Sequence, residues 1–111
     1  MKTVQVAIHD FEHAHSLRDL LLGDGGHLVH LVERPNLAIA GVIVMDADHL
    51  EISGVLAGGR DRLVVVASKA SADLARLWDA GVRHVVFRGD APRIVRVAVL
   101  ATELSLTAST L

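Results

Sequence analysis

The chain has 111 residues, 11 basic against 13 acidic side chains, and an apolar share of 51%, which fits one domain with one real core rather than a disordered segment. It has no cysteine, which excludes disulfides and thiolate metal sites, and its interspersed charges, net −2, offer no basic stripe for direct nucleic-acid binding. No apolar stretch reaches the roughly 18 residues of a membrane helix, and Met1-Lys2-Thr3-Val4 does not begin a signal peptide, so a cytoplasmic protein without membrane contact is expected.

Thr3 to Ile8 is rich in β-branched residues and predicts a first strand. From Phe11 the period changes: Ala14, Leu17, Leu20 and Leu21 share one helical face, opposite His13, Arg18 and Asp19, as far as Leu22. The glycine-rich turn from Gly23 to Gly26 ends that helix. His27 to Val32 predicts a second strand, and its histidines, His27 and His30, suit a sheet edge. Glu33-Arg34-Pro35-Asn36 reads as a turn, and Leu37 to Ala40 leaves room for about one helical turn. The helix expected between strands two and three is therefore short or missing.

Gly41 to Met45 is a near-continuous apolar run that predicts a strand buried on both faces, ended by Asp46. His49 to Gly59 predicts a short helix, with Ile52, Val55 and Leu56 at helical spacing and Ser53-Gly54 interrupting. Leu63 to Ala67 is a fourth strand. Ser71 is a natural N-cap for a helix over 72–80, whose Leu74, Leu77 and Trp78 share a face, with Gly81 beyond. His84 to Phe87 is the fifth strand. Asp90 can cap a last helix that carries Pro92 in its first turn and runs to about Leu106. Residues 1–106 then form the domain, and Thr107 to Leu111 read as a small, polar tail, either the end of a stand-alone domain or the start of a linker to a further one.

Strands alternating with helices imply right-handed crossovers and a parallel sheet covered on both faces. Five strands predict a flavodoxin-like three-layer α/β sandwich in the order 2-1-3-4-5. That order puts Asp10, Asp46, Asp48, Ser68 and Arg88 at the carboxyl edge of the sheet, where such folds hold their ligands. Neighbouring carboxylates repel unless a cation or a shared proton lies between them, and oxygen ligands without cysteine favour a hard ion such as Mg²⁺. A hydroxyl and a guanidinium facing the same spot suit a phosphoryl group or another small anion.

Ile8-His9-Asp10-Phe11, Asp46 with Asp48, Val66-Ala67-Ser68 and the stretch from Trp78 to Arg88 together resemble the receiver domain of two-component response regulators. The resemblance covers nearly the whole chain. It implies that Asp46 is the phosphoacceptor and that Asp10, Asp46 and the Asp48 carbonyl hold Mg²⁺, with Ser68 and Arg88 contacting the phosphoryl oxygens. Three departures stand out: His9 replaces an acid, Arg88 replaces a lysine, and Gly89 replaces a proline. Arginine's planar fork differs in reach from a lysine ammonium. These departures resemble an atypical receiver, or pseudo-receiver, which signals by protein contact, requires no cofactor and is not an enzyme.

Plainer readings stand beside these. Asp46 can cap the turn that follows it, Asp10 can be the N-cap of the first helix, and Arg88 can pair with the acids in place of a metal. His9, His13 and His49 lie near Asp10, Asp46 and Asp48, which allows a transition-metal site, against the reading of solvent-facing histidines in loops and first turns. A small-ligand or metal-binding enzyme of flavodoxin-like fold is the rival class, although no cofactor motif is present. In the last helix Ile94, Val97, Ala98 and Ala101 form one face, while Val95, Val99, Leu100 and Leu104 spread around the rest. Val95, Val99 and Leu100 are the candidate surface for a protein partner (a second copy in a homodimer, an output domain or a sensor kinase), beside the equal reading that these extra apolar residues are buried more deeply against the first helix.

Overall fold

The computed structural model describes residues 2–23, 25–68 and 74–109. Along the chain run β1 (Lys2–Ala7), α1 (Phe11–Leu22), β2 (His27–Leu31), β3 (Val42–Asp46), α2 (Ile52–Gly58), β4 (Leu63–Ala67), α3 (Leu74–Asp79), β5 (His84–Phe87) and α4 (Pro92–Ser109). A short 3₁₀ turn, Arg60–Arg62, leads into β4.

The β-branched runs pair in parallel in the order β2-β1-β3-β4-β5. Val4 lies opposite both Val29 and Val42, Val44 opposite Val64, and Val65 opposite Val85. Every residue of β3 and β4 is buried, as a central strand covered on both faces requires, whereas β2 at the edge alternates. Alternate residues feed two apolar layers. Val4, Val6, Val44, Val64 and Val66 meet Leu17 and Leu21 of α1 and Val95 and Val99 of α4. Ile43, Met45, Leu63 and Val65 meet Ile52 and Val55 of α2 and Leu77 of α3. This is the flavodoxin-like α/β sandwich that the alternation of periods predicts.

Four local expectations are corrected. Val95 and Val99 are core residues, not surface, because α4 turns its Val95–Val99–Thr102 side to the sheet and leaves Ile94, Val97, Leu100 and Leu104 exposed. Trp78 is exposed and does not share the buried face of Leu77. Asp90 does not cap α4; its carboxylate accepts the Phe87 N–H at 2.9 Å while its own N–H donates to the Phe87 carbonyl, a closed turn at the end of β5. The helix continues through Ser109, so 107–109 are helical backbone rather than tail. Ser71, the expected cap of α3, lies outside the described residues.

The connection from Val32 to Gly41 carries no helix, yet it is firmly held. Gln5, buried in β1, donates from Nε2 to the Asn36 carbonyl and accepts the Asn36 N–H at Oε1, at 2.9 and 2.7 Å. A buried amide side chain placed against a bare backbone segment thus satisfies both groups. From the far side the Arg62 guanidinium donates to the carbonyls of Leu37, Ile39 and Gly41. Burial lowers the pKa of Arg62 from its ordinary value. Gly41 then passes under β1 with φ +120°, where an added Cβ would stand 2.1 Å from the Thr3 carbonyl oxygen.

Candidate functional site

The sheet order brings the ends of β1, β3, β4 and β5 to one edge, and the loops there carry His9, Asp10, Asp46, Asp48, Ser68 and Arg88. Asp46 is the last residue of β3 and the most enclosed of these, with 2% of its side chain exposed. A buried carboxylate needs donors, and two are in place. The His9 backbone N–H donates to Asp46 Oδ2 at 2.6 Å. The Arg88 guanidinium, carried in the turn just past β5, reaches back across β4 to Asp46 Oδ1 at 3.4 Å and to Asp48 Oδ1 at 3.7 Å.

Local sequence explains this aim. The bond from Ala47 N–H to the Val66 carbonyl extends the β3–β4 ladder past Asp46, and the bond from His49 N–H to the Asp46 carbonyl then turns the chain sharply. The Phe87–Asp90 turn and the bond from Arg88 N–H to the Ala67 carbonyl fix the Arg88 backbone beside β4. Arg88 is half-exposed, so the pair itself contributes little, about 1 kcal/mol or less. Its importance is the neutralisation of a carboxylate that has almost no contact with water.

Asp10 is turned elsewhere: its carboxylate accepts the His13 N–H at 3.1 Å and caps α1. Asp10, Asp46 and Asp48 therefore do not gather as ligands, and among the described residues no three His, Cys, Asp or Glu side chains form a metal-binding group. The donor set as arranged does not fit Mg²⁺, because Asp10 is committed to the helix and Asp46 and Asp48 to Arg88. His9 and His13 likewise join no metal-binding cluster. Ser68 follows β4 on the same edge and is exposed.

Sequence reasoning missed His49 as a structural bridge. Glu51 N–H donates to its Nδ1 at 3.0 Å, which leaves Nε2 as the donor to the Glu33 carbonyl at 2.7 Å. The imidazole thus ties the β3–α2 loop to the end of β2. Only its place two residues before Glu51 hints at this, and that spacing is common in turns. Neither a protein-family model nor a curated protein sequence matches this chain.

Proposed function

We propose that the chain is an atypical receiver, a pseudo-receiver, acting in signal transduction or transcriptional regulation through protein contact. The observation that carries this reading is Arg88 over Asp46: the acid at the phosphoacceptor position already has a cation beside one oxygen and the His9 N–H on the other. Positive charge that a phosphorylatable site would take from a metal ion comes here from the chain itself. The reading makes the domain a non-catalytic module of the cytoplasm with no required cofactor. The alternative is a working receiver that phosphorylates Asp46 with Mg²⁺, favoured by Ser68 and Arg88 sharing its edge.

A beryllofluoride or acyl-phosphate challenge in the presence of Mg²⁺, followed by intact mass and by the amide spectrum, separates the two. Unchanged mass and unchanged Ala47 and Ser68 amides are expected. A stable adduct that disappears in Asp46→Ala would sink the pseudo-receiver.

A second copy of the chain is the partner proposed for α4. Ile94, Val97, Ala101 and Leu104 recur at alternating spacings of three and four, the seam by which two helices interlock. Val97 and Leu104 are 61% and 69% exposed. The doubly substituted Val97→Glu/Leu104→Glu protein should run as monomer in sedimentation experiments where the parent runs as dimer, with an unchanged circular dichroism spectrum. A parent that is itself monomeric at high concentration excludes this seam.

A further inference from the structure

A groove of about 710 Å³ lies over the carboxyl ends of β1 and β2, against the start of the helix-free connection. Ile8, Leu31 and Val32 give it an apolar lining, and Phe11 and Leu50 stand beside it, 72% and 96% exposed. Leu50 is the most exposed of the large apolar side chains among the described residues, at a loop position where a polar residue would fit equally well. The volume lies within the range of small-molecule sites, roughly 300–1,000 Å³. The His49 bridge to the Glu33 carbonyl joins two of its walls, so the groove is formed before any ligand arrives.

Charge around the groove is uneven. Glu33, Asp48 and Glu51 line it against a single guanidinium, Arg34, which stands 3.8 Å from Glu51. Asp48 is engaged by Arg88. The Glu33 carboxylate holds no ion pair among the described residues, and it stands where its backbone carbonyl is already fixed by His49. A groove with apolar lining and, among the described residues, a carboxylate outside any ion pair selects for a cation with a hydrophobic body.

We propose that this groove binds a small organic cation built on an aromatic or similarly flat apolar body, its ring against Phe11 and Leu50 and its ammonium at Glu33. The Phe11 ring meets His15 at a tilt of 54°, 4.1 Å between centroids, and with 72% of the residue exposed it keeps surface for a second ring. The groove shares His9 and Asp48 with the Asp46 edge, but the contacts proposed for the ligand, Phe11, Leu50 and Glu33, take no part in the Asp46–Arg88 pair.

Phenethylammonium, phenylacetate and 2-phenylethanol provide the test, since they share a ring and differ in charge. Each is titrated into the ¹⁵N-labelled full chain. Saturable shifts are expected at Ile8 to Phe11, Leu31 to Arg34 and Asp48 to Glu51 with phenethylammonium, with phenylacetate on the order of tenfold weaker. Glu33→Lys should weaken the cation about tenfold, and Leu50→Ser should weaken both cation and alcohol. Both residues are exposed, so the amide spectra of the variants should remain those of folded protein. Equal affinity for cation and anion, no effect of Glu33→Lys in a folded variant, or no saturable shifts in these three segments overturns the proposal.

Discussion

Gly41→Ala is expected to cost more than about 3 kcal/mol and to leave little folded protein under mild urea. Two penalties coincide at this residue. Its φ of +120° is one that a residue with a Cβ rarely adopts, and that Cβ would stand 2.1 Å from a backbone oxygen, Thr3 O. Neither neighbour can yield alone. Thr3 is held in the β1–β2 ladder, and the Gly41 carbonyl accepts from Arg62 at 3.3 Å. Gly26→Ala provides the comparison, since an added Cβ there meets nothing within 4 Å. Urea midpoints decide the matter: Gly26→Ala should stay close to the parent and Gly41→Ala should fall far below it. Equal midpoints would remove the close crossing of β1 as a constraint on the fold.

Glu103→Ala is expected to destabilise the protein by about 3 kcal/mol, while Glu103→Gln costs much less. Glu103 of α4 and His27 at the start of β2 are both buried, and the imidazole Nε2–H donates to Oε1 at 2.9 Å. Alanine removes the acceptor and leaves a cavity beside a desolvated imidazole. Glutamine keeps an oxygen within reach. In a double-mutant cycle with His27→Ala, a coupling above about 1 kcal/mol is expected from chemical denaturation. Additive single and double variants would mean that the contact is incidental to packing.

The sheet was readable because its signals are redundant. Leu63 to Ala67 and His84 to Phe87 coincide with β4 and β5, since short β-branched runs bounded by polar or glycine residues leave few other solutions. Phe11 to Leu22 was equally plain, with one apolar stripe and Asp10 as its cap. Helix α4 was readable as a helix and ambiguous in phase. Apolar residues surround it, so two stripes compete, and the His27–Glu103 contact, with Thr102 and Val99 beside it, lies on the stripe that turns inward. Local sequence does not encode that contact, because its partner lies 76 residues away.

The site divides in the same way. Its membership followed from strand order, which placed Asp46, Ser68 and Arg88 on one edge. Its wiring did not. Whether Arg88 meets Asp46 depends on a turn after Phe87, where Asp90 binds the backbone instead of capping the helix that follows. The connection from Val32 to Gly41 was the least readable segment. Its order comes from Gln5 and Arg62, side chains on β1 and in the turn before β4, and no periodicity within the segment encodes them.

The position of α4 also governs how the molecule comes into being. All five strands precede it in the chain, and parallel pairing already demands contacts between distant segments. As the polypeptide emerges from the ribosome, Val42, Val44, Val64 and Val66 can be aligned with only α1 to shelter them. Residues 92–109 must arrive before that half of the sheet is sealed, and Glu103 must cross to the first residue of β2 to close it. Until then a nascent chain displays a broad valine surface, the kind of surface that chaperones retain and that neighbouring nascent chains would otherwise capture.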